Sequence, residues 1–174
     1  MAESDPRLRH DQWSPQLASL DQVASLLEAN AIDHWLFGGW AVDFYVGSMT
    51  RAHDDIDLAI WREDLERIAT LLRSEGWHHA PAEDEDGGTG YERDGVRLEL
   101  TYLVRDGAGD VFIPLRDGPF PWDKASFAND QRTFLGVRSR VITLESLKSM
   151  KSWPRDDPQD AAKDQADLQV LSSV

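Results

Sequence analysis

Residues 54–60, Asp54-Asp55-Ile56-Asp57-Leu58-Ala59-Ile60, constrain the fold more than any other stretch. Ile56, Leu58 and Ile60 fall on one side of a period-two segment, with Asp55, Asp57 and Ala59 on the other, so the spacing predicts a strand over 54–60. Its apolar side has to lie on a core. Its acidic side then holds two like-charged carboxylates beside low-dielectric material, which is costly unless something positive faces them.

Upstream, the apolar run Trp35-Leu36-Phe37 meets Gly38-Gly39, then Trp40–Val46 and Gly47, which reads as strand, glycine turn, helix and stop. Glycine lets a backbone approach a phosphate closely, and the helix that follows presents free N–H groups to an anion. Ser19-Leu20-Asp21-Gln22 has capping-box spacing, with Leu20, Val23, Ala24 and Leu27 behind it, so a helix covering one sheet face is predicted from there to Asn30. A further helix is expected over 63–74, closed by Gly76.

Beyond the acidic loop 83–88, segments 91–93, 96–103 and 110–115 read as strands joined by Asp94-Gly95 and Asp106-Gly107, an antiparallel meander. In 96–102, Arg97, Glu99 and Thr101 share a face; if this strand neighbours the first, Glu99 joins Asp55 and Asp57, and otherwise it is an ion partner of Arg97 or Arg93. Residues 116–132 look like an irregular loop, 133–142 contain one more strand, and helices are expected over 143–153 and 158–171, separated by Pro154. The division implied is a polar tail over 1–12, a core over 13–142 and two packed C-terminal helices over 143–174.

Within the first closing helix, Leu144, Leu147 and Lys151 fall on one stripe, so Lys151 occupies an apolar position and either snorkels out or points at an anion. Lys163 and Asp167 have the spacing of an i, i+4 ion pair. His78-His79 point to opposite faces of a strand and have no ligand cluster in sequence, so they are read as non-functional. Trp40 and Trp122 either stack on a base or sugar or pack in the core, with core packing the better reading; Trp13, Trp77 and Trp153 read as packing residues.

A formal charge of -14, from 32 acidic against 18 basic residues, argues against a duplex DNA partner and suits a cationic ligand or a nucleotide carried with its metal. With no cysteine there is no disulfide or thiolate metal site. The chain has no long apolar run and opens on an acidic stretch, so a cytoplasmic protein without a membrane partner is expected, as monomer or homodimer.

The stretch 38–43 together with Thr50-Arg51-Ala52-His53-Asp54-Asp55-Ile56-Asp57-Leu58 resembles the polymerase-beta-type nucleotidyltransferase superfamily, and within it the aminoglycoside and lincosamide nucleotidyltransferases. The resemblance is dense over residues 35–60 and thinner towards the C-terminus. It implies an α/β (α+β) fold, a mixed central sheet flanked by helices with a short C-terminal helical appendage. It also implies two Mg2+ ions held by Asp55 and Asp57, with Glu99 as third metal ligand or as base. Gly38, Gly39, Arg51 and His53 would face the phosphates, with Lys151, or as second choice Lys148, binding the triphosphate.

The activity so implied is transfer of a nucleoside monophosphate from a triphosphate, ATP being expected, to a hydroxyl of a small and cationic acceptor such as an aminoglycoside or lincosamide. The short C-terminal region suggests that residues 116–132 or a second copy supply one wall for that acceptor. Two alternatives stand beside this: a toxin-type enzyme acting on tRNA or protein, and a catalytically silent nucleotide- or partner-binding domain. Gly39, in place of the commoner serine, puts a serine contact to phosphate in doubt but not the metals.

Overall fold

The computed structural model describes residues 14–174, so the expected tail over 1–12 and the packing of Trp13 lie outside the described residues. Helix α1 spans Pro15–Ala29. It starts ahead of the expected capping box because Ser14 accepts a hydrogen bond from the Leu17 amide at 3.2 Å and Pro15, at the first helical position, presets its φ. Ser19 is thus an interior residue, buried with Leu17, Leu20, Val23, Ala24 and Leu27.

Strand β1 (His34–Phe37) runs straight into helix α2 (Gly38–Val46), so the two glycines form the first helical turn rather than a separate loop. Gly47 stops α2 in the left-handed region, its N–H donating to the Asp43 carbonyl at 2.8 Å. Strand β2 (Ile56–Trp61), a 3-10 turn over Arg62–Asp64, helix α3 (Leu65–Ser74) and strands β3 (His78–His79), β4 (Gly88–Arg93) and β5 (Val96–Arg105) follow. The main sheet has the order β1-β2-β5-β4-β3; β2 pairs β5 in parallel and the other pairs are antiparallel, so the sheet is mixed as expected.

Ile56, Leu58 and Ile60 are fully buried on the face covered by α1 and α3, each contributing about 1.5–3 kcal/mol of apolar burial. The opposite face is acidic only at its start. Beyond Asp57, Ala59 and Trp61 are buried too, because Trp35, Phe127 and Trp61 pack edge to face there at centroid distances of 5.1 and 5.9 Å. Trp122 joins this cluster against Phe37 and Phe127, and Trp40 is 2% exposed, so both tryptophans are core residues.

The expected loop over 116–132 contains structure. Strand β7 (Gly118–Trp122) pairs with β6 (Val111–Leu115), a 3-10 turn covers Lys124–Ser126, and β8 begins at Gln131. Pro119 and Pro121 concealed the strand, yet they are two residues apart on an edge strand whose one neighbour is β6, so their missing N–H groups point away from the ladder. The single strand expected in 133–142 is a hairpin, β8 (Gln131–Phe134) and β9 (Val137–Arg140), turned by Leu135 and Gly136 at φ 49° and 86°. Helices α4 (Leu144–Lys151) and α5 (Pro158–Leu171) pack on each other and on α2. Among the described residues no helix is long and apolar enough to cross a membrane.

Candidate active site

The acidic end of β2 opens into a cavity of about 390 Å³ between the sheet and helices α2, α4 and α5. Asp57 and Glu99 are aligned partners across the parallel β2–β5 pair, so their side chains leave the sheet on the same face, and Asp55 precedes them on the cavity wall. Burial first, then the charges of Asp55 and Glu99, push the Asp57 carboxyl well above the usual carboxylate range. Asp55 is shifted upward as well, again chiefly by burial. Such carboxyls are costly to ionise unless a cation shares the space.

Two glycines make that space. A Cβ on Gly38, whose φ is +70°, would lie 2.2 Å from Asp57 Oδ2, so the Asp57 carboxyl occupies the place a side chain would fill. A Cβ on Gly39 would lie 2.5 Å from His53 Nδ1 and 2.8 Å from an Arg51 terminal nitrogen, and its absence lets both side chains cross the start of α2.

The expected phosphate-facing residues are brought together, Lys148 excepted. Arg51 and His53 line the cavity, but the His53 side chain is 2% exposed: its Nε2 is 2.6 Å from Asp43 Oδ2, and the Trp40 ring lies 4.6 Å away. Asp43, fully buried in α2, also accepts hydrogen bonds from the Thr50 hydroxyl and amide at 2.5 and 3.1 Å, which fixes the turn carrying residues 50–53. Sequence reading gave Asp43 no role; its signal was a charged residue between buried Val42 and Phe44.

Lys151 is buried and points at anions, reaching Asp164 Oδ1 at 3.1 Å and Asp167 Oδ2 at 2.8 Å. Lys148 does not line the cavity. The expected Lys163–Asp167 pair is absent, because α5 turns Asp167 inward to grip Arg51 through two hydrogen bonds of 3.0 Å, while Lys163 reaches Asp54 at 2.7 Å. Arg155, which donates to Asp164 at 2.7 Å, completes an ion-paired wall in which Arg51, Lys151, Arg155 and Lys163 alternate with Asp160, Asp164 and Asp167, facing the acidic floor. No residue of 116–132 lines this cavity; α4 and α5 supply the wall.

Glu99 stands beside Asp57 on the neighbouring strand and is also an ion partner of Arg97. It lines the cavity, and it accepts a hydrogen bond from Arg97 Nε at 2.5 Å, with Arg97 anchored by the Ala80 carbonyl and Glu92. With Glu99 turned to Arg97, no three acidic or histidine side chains close into a ready-made metal cage among the described residues. The acidic floor nevertheless fits a divalent cation: oxygen donors are hard ligands, and a cation between Asp55 and Asp57 would favour the charged forms that burial, and at Asp57 the neighbouring carboxylates, disfavour. His78 and His79 take no part; His79 Nε2 is 2.7 Å from the Thr89 hydroxyl on the other side of the sheet.

A mixed sheet that sets two carboxylates on neighbouring parallel strands beneath a Gly-Gly helix start defines the nucleotidyltransferase class. The family model for aminoglycoside-2''-adenylyltransferase matches residues 19–170, and the chain belongs to that family. Over 60 residues it is 35% identical to 2''-aminoglycoside nucleotidyltransferases of Klebsiella pneumoniae and Escherichia coli; this aligns 33% of the chain with 34% of the length of each relative. Among solved structures, the lincomycin-bound lincosamide adenylyltransferase LnuA superposes with a TM-score of 0.70 at 17% identity, covering 92% of this chain and 97% of the other. The structure of ANT(2")-Ia in complex with adenylyl-2"-tobramycin gives 0.69 at 18% identity, covering 92% and 89%. At these identities the likeness is one of fold.

Proposed function

We propose that the protein transfers AMP from ATP to a hydroxyl of a small polycationic acceptor of the aminoglycoside or lincosamide kind, in the cytoplasm and as an antibiotic-modifying enzyme. The observation that carries the proposal is the alignment of Asp57 with Glu99 on parallel neighbours, beside Asp55 and under Gly38, at the floor of a cavity whose opposite wall carries Arg51, Lys151, Arg155 and Lys163 in ion pairs.

Asp55 and Asp57 would hold two Mg2+ ions, with Glu99 as third ligand or as base; when bound, the ions neutralise the triphosphate and favour in-line displacement. Arg51 and Lys151 bind the triphosphate from the opposite wall, and Asp167 keeps both aimed inward. Glu99, oriented by Arg97, accepts the proton of the acceptor hydroxyl as that oxygen bonds to the α-phosphorus. The bond from that phosphorus to the bridging oxygen of the β-phosphate breaks, and pyrophosphate departs. The groups are set before reaction, so the acceleration comes from positioning and charge stabilisation.

The net charge of -14 draws a polycation towards the cavity, where Asp54 and Asp160 stand with Lys163 between them. The test is pyrophosphate release with each nucleoside triphosphate, with and without Mg2+, over a panel of aminoglycosides and lincosamides. Release dependent on ATP, Mg2+ and one acceptor class supports the proposal; nucleotide binding without release for any acceptor refutes it.

A further inference from the structure

On the other side of the sheet from Glu99 lies a groove of about 350 Å³, floored by Tyr91, Thr89 and Tyr102 and walled by α3 and Trp77. Register places these three with Leu98 and Leu100, on the face opposite the catalytic carboxylates.

The acidic loop 83–88 closes one end. Arg116 donates to the Glu85 carbonyl at 2.6 Å and through its amide to Asp86 Oδ1 at 2.9 Å, and the Tyr102 amide donates to the Gly87 carbonyl at 2.8 Å. So fixed, the loop directs the Glu85 side chain into the groove beside the two tyrosines, where its Oε2 is shielded from solvent and has no hydrogen-bond partner among the described residues. A buried acceptor without a donor is costly; of the other polar groups lining the groove, the Thr89 hydroxyl meets His79 Nε2 at 2.7 Å, and His79 rests on the Tyr91 ring at 5.2 Å. Glu66 and Arg73 stand at the rim of the groove. One face of Trp77 already attracts a cation, the Arg93 guanidinium 4.7 Å from the ring.

We infer that this groove is a second small-molecule site, for an organic cation whose ammonium N–H group donates to Glu85 Oε2 while its apolar body lies on Tyr91 and Tyr102. An anion is excluded by the free acceptor, and a purely apolar ligand leaves it unpaired. The inference is independent of nucleotide transfer, since none of its residues lines the catalytic cavity.

The experiment is a titration of the 15N-labelled protein with benzylammonium, using benzyl alcohol as uncharged control and following the Trp77 indole and the amides of Glu85, Thr89 and Tyr91. Saturable shifts at these groups are expected, with a dissociation constant on the order of 1 mM. Glu85→Gln should weaken binding about tenfold without loss of thermal stability, since the shielded Oε2 makes no hydrogen bond among the described residues that the change could break. Asp57→Asn should leave binding unchanged. Absence of saturation below about 20 mM, equal affinity for benzyl alcohol, equal affinity in Glu85→Gln, or loss of binding in Asp57→Asn would each overturn the assignment.

Discussion

Asp57 and Glu99, forty-two positions apart in the chain, stand side by side because β2 and β5 run parallel in matched register. Asp57→Asn removes a carboxylate to which the proposed function gives a metal and, with it, charge repulsion that the fold has to contain. Pyrophosphate release should fall by about 10³-fold or more, while the melting temperature in the absence of metal is held or raised. A variant that keeps most of its activity ends the assignment.

Gly38→Ala forces a methyl group into the Asp57 carboxyl at a positive φ, whereas Gly47→Ala meets nothing within 4 Å at a similar φ of +81°. Both should lose about 1–2 kcal/mol from the backbone conformation. Gly38→Ala alone should also lose activity, and denaturant melts paired with turnover separate the two effects.

Asp167 is 1% exposed. Burial raises its pKa, but hydrogen bonds from Arg51 and Lys151 outweigh burial and leave it below the usual carboxylate value. The stability it provides is therefore complete above the unfolded-state pKa, about 3.9, and is lost as pH falls through the lower folded value. Asp57 runs the other way: the folded state holds its proton to higher pH, so stability declines as pH rises from about 4. Asp167→Ala should cost about 3 kcal/mol at neutral pH and flatten the acid limb of the stability curve, and Asp57→Asn should flatten the rise-of-pH limb. Urea midpoints between pH 2.5 and 8 decide both.

Lys151→Ala and Lys148→Ala should part company. The first removes the buried cation between Asp164 and Asp167 and should raise KM for ATP together with a loss of stability; the second, outside the cavity, should stay within about 0.5 kcal/mol of wild type with unchanged kinetics. Equal kinetic effects would show that the lysine assignment is wrong.

Much of the sheet could be read from the chain because period-two alternation is a local signal: β2, β5 and the Asp94-Gly95 turn stand where the residues put them. Whether Glu99 neighbours Asp57 is a question of strand pairing, and the alternation does not carry that answer. Prolines 119 and 121 hid β7 because their cost vanishes at a sheet edge, and Leu135 hid a hairpin because a bulky residue seldom takes a positive φ. The ionic wall was the least legible part. Local spacing offered Lys163 with Asp167, but the folded partners are Asp54 and Arg51, 109 and 116 residues away, and helical periodicity carries no information on such pairs.

Arg51 is made well before its clamp, Asp167, which lies 116 positions further along the chain. A ribosome-bound chain halted before α5 could pair β1 with β2 and even align Asp57 with Glu99, yet it would have no counterweight to gather the cations opposite them. A chain without α5 would keep the strand pairing but lose Asp167, the carboxylate on which Arg51 and Lys151 both converge, so the two sides of the cavity depend on segments made at very different times.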